Sequence, residues 1–345
     1  MDYVGIDLHK RESQIFVFAA DGRVREKRIK TDRAQFAKAL PQLAAPGSRV
    51  LVEASTESAW ATKALKALGF EVVVADPNYS AMYGKKQGRR IKTDRRDAKA
   101  LAEACRIGNY RVAHQSSDEA RRRRNLLTTR EQLVGVRTKC IVTARSILRQ
   151  HGYGVGKGEA ETFPRRVRAI ELDAEVAAAV TPLLVTVESS TAQIASVDVR
   201  LEAIVEQDDR VRRLTTVFGV GPITAVAFQA TIEDPKRFKN AHRAEAYLGL
   251  VPGEHSSGDG TRRTSITKTG SRLMRWLLVQ AALVFMRHGR SRAPALHSWV
   301  QAVGQRRGTK VARVALARRL AGILFALLRD DTVFDGTRYA PQLSS

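Results

Sequence analysis

The protein has 345 residues, of which 43% are hydrophobic and 27% are charged, a composition typical of a soluble globular chain with two or three domains. Lys and Arg total 59 against 35 Asp and Glu, which gives a formal net charge of +24. A charge this large repels itself in a compact chain unless a polyanion offsets it. Nucleic acid is therefore the favoured partner, and an anionic membrane surface is the alternative.

The cysteines and the N-terminus bear on the cellular compartment. Cys105 and Cys140 have neither CxxC spacing nor a neighbouring histidine, which argues against a disulfide scaffold and a structural zinc site. The first residues lack the pattern of a signal peptide. The longest apolar runs, such as residues 320–328, are shorter than the ~18 residues that span a bilayer. We expect a protein of a reducing cytoplasm, without a membrane partner.

Residues 1–112 alternate short apolar strands with helices and predict an α/β domain. Strands are expected at 3–8, 13–20, after the Asp21-Gly22 turn, 49–53 and 71–75, and helices at 32–43, 57–68 and 94–107. Three strands in a meander, followed by alternating helix and strand, is the order of RNase-H-like folds. Sugar kinases and actin-like ATPases share this order, but the further glycine-rich nucleotide loops that they need do not follow. The sequence favours an RNase-H-like, RuvC-like domain.

The rest of the chain is predicted to be mostly helical. Residues 113–207 carry apolar residues at seven-residue spacing and predict a long coiled-coil arm of two antiparallel helices. An ordinary helical bundle is the alternative. Residues 208–335 predict a helical C-terminal domain, interrupted by a polar loop at residues 252–269, and residues 336–345 predict a tail.

Four acidic residues lie at positions that are typical of a metal-binding site. Asp7 lies within the first apolar strand, where an unpaired carboxylate is costly, and Glu53 ends the fourth strand. Asp94 and Asp97 are three residues apart at a helix start, which places them on one face, ~5–6 Å apart at Cβ. Each alone could be a turn cap, a solvated strand end, an N-cap or a first-turn acid. Together they predict a cluster that binds Mg²⁺, with Mn²⁺ as a substitute, as in RuvC-type nucleases and transposases.

A basic run directly precedes the two helical acids. We assign five of its residues to nucleic-acid binding: Lys85, Lys86, Arg89, Arg90 and Lys92. A charge run is usually a solvated face, but a phosphate backbone that reaches the metal site would pass this segment.

Two motifs follow in the C-terminal third. Gly219 and Gly221 have apolar flanks and are similar to a helix-hairpin-helix, whose backbone N–H groups bind a DNA phosphate. A tight turn between helices is the alternative. Ser256 and Ser257 lie in the polar loop and are followed by candidate phosphate-binding residues, namely Arg262, Arg263 and Lys268. A serine in a basic loop can attack phosphorus if its charge is stabilised, although by composition alone such a loop is common.

In combination, these motifs resemble the insertion-sequence-110 family of transposases, relatives of the Piv DNA invertases. The resemblance covers nearly the whole chain. It rests on Gly5-Ile6-Asp7, Val52-Glu53-Ala54, Lys92-Thr93-Asp94-Arg95-Arg96-Asp97-Ala98, Phe218-Gly219-Val220-Gly221, Gly249-Leu250-Val251-Pro252, Ser256-Ser257-Gly258 and Thr267-Lys268-Thr269-Gly270.

The resemblance implies a site and partners. Asp7, Glu53, Asp94 and Asp97 would bind Mg²⁺, and Ser257 would be the covalent nucleophile toward DNA. Because the loop length varies among relatives, Ser256 competes for that role, and we favour Ser257. Family members act on donor and target double-stranded DNA with a structured non-coding guide RNA, as dimers that form a tetramer on DNA. Their active sites combine the acidic domain of one subunit with the serine domain of another.

Two other functions remain open at this point. A RuvC-like endonuclease, such as a junction resolvase, would hydrolyse DNA with water and would never be linked to it. A non-catalytic nucleic-acid-binding protein would use the acids structurally. The sequence itself carries no signature of RNA binding, although the basic residues of the arm, between Arg121 and Arg145, are a candidate RNA surface.

Overall fold

A computed structural model describes residues 1–83, 93–257 and 260–337, without the side chains of residues 80, 254–257 and 260–264. The chain forms two compact units, Met1–Gln115 and Ser116–Ser345. The finer division into domains at residues 112, 207 and 335 stays a prediction. The predicted tail lies outside the described residues from residue 338 onward.

The first unit is built on a five-stranded sheet with the order β3-β2-β1-β4-β5. Its strands are β1 (Tyr3–Leu8), β2 (Glu12–Phe18), β3 (Val24–Lys30), β4 (Arg49–Glu53) and β5 (Glu71–Ala75). The first three strands form an antiparallel meander, and β4 and β5 run parallel to β1. The predicted order of three paired strands followed by alternating helices and strands is confirmed.

Helices cover both faces of this sheet. They are α1 (Arg33–Leu43), α2 (Ser58–Ala67) and α3 (Asp94–Ile107). Successive side chains of a strand point to opposite faces, and β2 is apolar on both. Ile15 packs in the same cluster as Phe36 of α1, whereas Phe16 packs with Ala98 and Ala102 of α3. The central strands are therefore buried between α1 and α2 on one face and α3 on the other, whereas the edge strand β3 is mostly exposed.

The closest approach between helix and sheet occurs at Gly5, in the middle of β1. A Cβ atom on Gly5 would lie 2.2 Å from the carbonyl oxygen of Ala98 and 2.2 Å from the amide nitrogen of Ala102. Both distances are far below van der Waals contact, so only glycine lets the α3 backbone lie directly on β1. This contact fixes how close the start of α3 comes to the end of β1.

The second unit begins with two long antiparallel helices, α4 (Asp118–Gln150) and α6 (Ala174–Gln207), with α5 (Phe163–Arg168) between them. Near one end, Leu127 of α4 packs in the same core as Leu201 of α6, and near the other end Leu148 packs with Val180. The antiparallel pairing that the sequence predicted is therefore present.

The arginines of α4 are largely used inside the second unit. Arg130 forms two hydrogen bonds with Asp198 of α6, at 2.5 and 3.0 Å. The buried Arg123 donates to Asp208 at 2.7 Å, and Arg137 donates to Glu161 at 2.7 Å. Arg130 thus links α4 to α6, whereas Arg123 and Arg137 link α4 to acids outside α6, so these side chains have a structural role besides the RNA-binding role considered from the sequence.

The remaining helices pack around one core. They are α7 (Asp209–Leu214), α8 (Pro222–Ile232), α9 (Ala241–Tyr247), α10 (Arg272–His288), α11 (Pro294–Arg307) and α12 (Thr309–Asp330). The middle of α12 is buried on several sides, with Leu320, Leu324 and Phe325 all at 0% exposure. Among the described residues, no helix is both long and apolar enough to cross a membrane.

The expectation of an irregular polar loop at residues 252–269 was wrong. The segment forms an antiparallel hairpin of β6 (Pro252–Ser257) and β7 (Gly260–Ile266). Its sequence lacks the apolar alternation that marks a half-buried strand, because this pair of strands stands alone and is not part of the first unit's sheet. We name it the serine hairpin, for Ser256 and Ser257.

Replacement of Gly5 tests the packing of α3 on β1. Gly5→Ala places a methyl group against backbone atoms that have no rotamer with which to yield, so α3 must shift. We expect the free energy of unfolding to fall by about 1–3 kcal/mol, the usual cost of overpacking, as measured by urea denaturation.

Gly135→Ala is the matched control. Gly135 is exposed within α4 and has no atom within 4 Å of an added Cβ, so alanine should stabilise the helix by about 0.5–1 kcal/mol. If Gly5→Ala were as stable as wild type, the close packing of α3 on β1 would be refuted.

Candidate active site

The acidic residues predicted from the sequence lie at the ends of neighbouring elements of the first unit. Asp7 is the penultimate residue of β1, and Glu53 is the last residue of β4. These strands are parallel neighbours, with Ile6 opposite Val52, so their carboxyl ends lie at the same edge of the sheet. Asp94 and Asp97 occupy the first turn of α3, which Thr93 caps.

Three groups of this cluster lie within reach of one ion. His9 Nε2 lies 3.1 Å from Asp7 Oδ2 and 3.4 Å from Asp94 Oδ1. The ligand atoms of Asp7, His9 and Asp94 all lie within 4.8 Å of one another. Asp7 is only 7% exposed. Burial raises the pKa of its carboxyl group, His9 counteracts this, and the charges of Asp97 and Asp94 raise it further.

Glu53 is held by a tyrosine. The hydroxyl group of Tyr83 donates to Glu53 Oε2 at 2.8 Å. Burial raises the pKa of Tyr83, and the hydrogen bond to Glu53 and the charges of Glu53, Asp97 and Asp7 add to this. Tyr83 therefore stays protonated and remains a donor at neutral pH. Because the charges of Asp97 and Asp7 act on the same hydroxyl group as Glu53, these three acids lie in one negative region.

The donor set fits a hard divalent cation. Carboxylate oxygens are the preferred ligands of Mg²⁺ and Mn²⁺, and a cation would relieve the repulsion among the buried and half-buried acids. His9 adds a nitrogen donor, which Mn²⁺ and later transition metals accept more readily than Mg²⁺.

The sequence reasoning missed His9 and Tyr83. The spacing Asp7-x-His9 was a usable signal, because residues two apart along an extended chain lie on the same side. Tyr83 had no such signal, since it lies 30 residues from its partner along the chain. The predicted nucleic-acid-binding residues Lys85, Lys86, Arg89, Arg90 and Lys92 lie outside the described residues.

The serine hairpin belongs to the second unit. Ser257 ends β6 opposite Gly260, and Ser256 lies opposite Thr261. The candidate phosphate-binding residues Arg262 and Arg263 lie in β7, opposite His255 and Glu254. Both serines therefore lie at the turn end of the hairpin, away from its root.

The root of the serine hairpin is built from close backbone contacts. Gly249 and Gly270 have left-handed φ values of +70° and +72°. An added Cβ on Gly249 would lie 2.2 Å from the carbonyl oxygen of Thr269, and one on Gly270 would lie 2.2 Å from that of Tyr247. Lys268, a predicted phosphate contact, is exposed here and has the unusual φ of +58°.

Arg275 of α10 joins both sides of this root. Its Nη1 donates to the carbonyl oxygens of Thr269 and Gly270 after the hairpin, and to that of Leu248 before it, at 3.4 Å. These bonds hold the two chain segments together and leave the hairpin to project from a fixed base.

The predicted glycine turn connects α7 and α8. Gly219 has a φ of +88°, and an added Cβ would lie 2.6 Å from the carbonyl oxygen of Ala281, so this glycine is needed for packing on α10. Gly221 is exposed and precedes α8. With Arg292, both glycines line a cleft of about 650 Å³. Their contact with a DNA phosphate stays a prediction.

Comparison with known proteins identifies the family. A family model described as "Transposase", of the DEDD type of IS110 elements, matches residues 4–152, which include the acidic cluster. A second, described as "Transposase IS116/IS110/IS902 family", matches residues 211–298, which include the glycine turn and the serine hairpin. A Pseudomonas aeruginosa protein named "Probable family 20 transposase" is 31% identical over 96% of this chain and 98% of its own length. The chain belongs to this family.

Other relatives of this transposase agree. The transposase of insertion sequence element IS1111A from Coxiella burnetii is 28% identical over 94% of the chain and 89% of its own length. The pilin gene-inverting protein of Moraxella bovis is 25% identical over 77% of the chain and 74% of its own length. The protein is thus an insertion-sequence transposase, an enzyme that cleaves and transfers DNA strands, and DNA is its partner.

The acidic cluster of the transposase can be tested by metal-dependent stability. A divalent ion at 100 times its dissociation constant should raise the free energy of unfolding of the wild type by about 2.7 kcal/mol. We expect Asp7→Asn to lose most of this gain, because it removes a central ligand. Calorimetry with and without Mg²⁺ or Mn²⁺ measures the difference.

Asp21→Asn is the control for that experiment. Asp21 lies in the exposed turn after β2 and accepts from the amide of Arg23 at 2.9 Å, so its loss should leave the metal-dependent gain intact. An equal gain in wild type and Asp7→Asn would remove Asp7 from the metal site.

The role of Arg275 can be tested without changing the charge of the transposase. Arg275→Lys keeps the cation but loses the planar group that reaches three carbonyl oxygens. We expect a loss of about 1–3 kcal/mol in the free energy of unfolding, because these acceptors lose their hydrogen bonds to the guanidinium group. Arg272→Lys, at the exposed start of α10, should change stability by less than ~0.5 kcal/mol. Equal effects of the two variants would contradict the role of Arg275 at the root.

Proposed function

We propose that this transposase is an RNA-guided DNA recombinase in which Ser257 forms a covalent link to DNA and the four acids of an RNase-H-like, RuvC-like domain bind Mg²⁺. The observation that carries the proposal is the grouping of Asp7 and Asp94 with His9, whose ligand atoms all lie within 4.8 Å of one another. Glu53 and Asp97 lie outside this group, and their part in the site is inferred from their positions at the end of β4 and in the first turn of α3. Two parallel strands, β1 and β4, end at one edge of the sheet, and His9 Nε2, just after β1, lies 3.4 Å from Asp94 Oδ1 in the first turn of α3. This is the arrangement expected of a site for phosphodiester chemistry.

The acids would hold the ion, and neighbouring side chains would orient them. Bound Mg²⁺ would polarise a phosphate and stabilise the negative charge that develops on it. Tyr83 would keep one oxygen of Glu53 in place through its hydrogen bond. His9 would stand between Asp7 and Asp94, and Mn²⁺ would substitute for Mg²⁺.

The covalent step would take place at the turn end of the serine hairpin. Oγ of Ser257 would form a bond to phosphorus while the bond from phosphorus to a deoxyribose oxygen breaks. Serine would lose its hydroxyl proton, and the departing deoxyribose oxygen would take up a proton. A hydroxyl group of another strand would then displace the serine, so that the number of phosphodiester bonds is conserved and ATP is not needed.

Basic residues around the hairpin would bind the phosphate. Arg262 and Arg263 lie in β7 beside the strand that carries Ser257, and Lys268 is exposed at the root. Guanidinium and ammonium groups stabilise phosphate oxygens and their developing charge.

The assembly would contain three partners. Donor and target double-stranded DNA are the substrates, and a structured non-coding RNA would select them by base pairing. The protein would bind as dimers that form a tetramer on DNA, through an arm at residues 113–207. The net charge of +24 supports binding to polyanions of this size, and the RNA and the tetramer rest on the resemblance to the family.

The test of the proposal is a search for a covalent protein–DNA adduct on a denaturing gel. It uses Mg²⁺, labelled donor and target DNA, and RNA transcribed from DNA that flanks the gene. We expect an adduct with the wild type and with Ser256→Ala, and none with Ser257→Ala. Asp7→Asn should abolish both cleavage and adduct while DNA binding persists.

Other outcomes separate the alternatives. Cleavage that needs Asp7 but yields no adduct would make the protein a hydrolytic endonuclease of the RuvC type. Loss of the adduct only in Ser256→Ala would move the nucleophile by one residue. An unchanged yield without RNA would refute RNA guidance.

A further inference from the structure

Charge is distributed very unevenly along the second unit. Residues 260–329 contain fifteen Lys and Arg residues and no Asp or Glu. This stretch includes β7, α10, α11 and most of α12. Since like charges at this density repel each other, a polyanion is needed close to these elements to offset them.

A cleft opens where three of these elements meet. It has a volume of about 620 Å³ and lies between the root of the serine hairpin, the middle of α11 and the first half of α12. Its walls are mostly apolar, with cationic side chains among them. The residues used below are Pro252 and Ile266 of the hairpin, Trp299 of α11, and Lys310, Val311 and Arg319 of α12.

The apolar part of the cleft offers an aromatic surface. Trp299 is half-buried and lines the cleft, and Val311 is 50% exposed beside it. Bases of single-stranded or unstacked DNA bind to proteins chiefly by stacking on aromatic side chains, in a manner that tolerates any base sequence. The volume of the cleft is sufficient for one nucleotide.

The polar part of the cleft is positive and favours a phosphate. Lys310 and Arg319 are exposed, and neither forms an ion pair with a described acid. Lys310 lies in the first turn of α12, which contains no acid and has no side-chain cap. A cation at this end of a helix is opposed by the helix dipole, and an anion there is stabilised.

The one acid in the described lining is already neutralised. Glu245 accepts from Arg318 Nε at 2.6 Å and lies 3.7 Å from His242 Nδ1. It therefore does not repel an anionic ligand. Lys310 and Arg319 set the charge that a ligand meets.

We propose that this cleft binds one unstacked nucleotide of the DNA strand, with its base against Trp299 and Val311 and its phosphate near Lys310 and Arg319. Pro252 begins the strand that carries Ser257, and Ile266 ends its partner. A nucleotide held here would be fixed relative to the root of the serine hairpin. The inference rests on the proposed function for its importance in catalysis, but the binding itself needs no cleavage.

The decisive variant is Val311→Glu. An acid in the first turn of α12 suits the helix dipole, so the variant should fold with undiminished stability. The carboxylate would stand where the nucleotide binds. We expect the affinity for a fluorescein-labelled twelve-residue oligothymidylate, measured by fluorescence anisotropy, to fall at least tenfold.

Val333→Glu is the matched control, because Val333 is 60% exposed, lies outside the cleft and undergoes the same change of charge. It should weaken binding less than twofold. Equal losses of affinity in the two variants would show that binding depends only on the net charge of the protein, and would overturn the proposal.

A second measurement locates the base. Oligothymidylate with one 5-iododeoxyuridine is photo-crosslinked to the protein, and the site is mapped by mass spectrometry. We expect crosslinking at Trp299, retained in Ser257→Ala and lost in Val311→Glu. Trp276 of α10, which is 56% exposed, is the internal control for adventitious contact.

The other outcomes are informative. Crosslinking at Trp276 but not at Trp299 would overturn the proposal. So would a change from dimer to monomer in DNA-free Val311→Glu on sedimentation, because the cleft would then be covered by a second copy of the chain. A Trp299 crosslink in wild-type protein that forms no covalent adduct with donor and target DNA would overturn the serine mechanism and leave the binding site intact.

Discussion

The acidic site depends on the direct contact between the backbones of β1 and α3. Gly5 permits this contact, since an added Cβ would lie 2.2 Å from Ala98 and Ala102. Asp7 follows Gly5 by two residues on the strand, and Asp94 precedes Ala98 by one helical turn. Side chains between the two backbones would move α3, and Asp94 with it, away from β1, whereas His9 Nε2 lies 3.4 Å from Asp94 Oδ1. The absence of one methyl group thus lets α3 bring Asp94 close to Asp7.

Such a cluster is unfavourable unless a cation is bound, and the surrounding residues reduce this cost only in part. Burial and the charges of Asp97 and Asp94 raise the pKa of Asp7, so without a cation the protein loses stability as the pH rises from the ordinary pKa of an aspartate to that raised pKa. His9 offsets part of this repulsion. Tyr83 donates to Glu53 but carries no charge. The repulsion that remains among the acidic side chains favours high affinity for a divalent ion, because binding of the ion relieves this repulsion.

Much of this site could be predicted from strand order and helical spacing in the sequence, and the rest could not. Parallel strands with adjacent carboxyl ends place Asp7 near Glu53, and helical spacing pairs Asp94 with Asp97. Tyr83 reaches Glu53 through a contact across 30 residues, which no local pattern encodes. The serine hairpin was missed for a different reason: its strands pair through their backbones, and neither face needs apolar residues. Likewise, the arginines of α4 resembled a free basic surface until Asp198 and Asp208 were found beside them.

The second unit has a chemistry of its own. Residues 260–329 contain no acid that could serve as a general base or bind a cation. The arginine and lysine side chains of this stretch could instead stabilise the negative charge of a serine oxygen. The hairpin strands also contain Glu254 and His255, which lie opposite Arg263 and Arg262. Because Gly249, Gly270 and Arg275 fix the root, the hairpin can present its serine and its basic residues to DNA as one element. A nucleotide bound at the root would then determine which DNA strand the hairpin contacts.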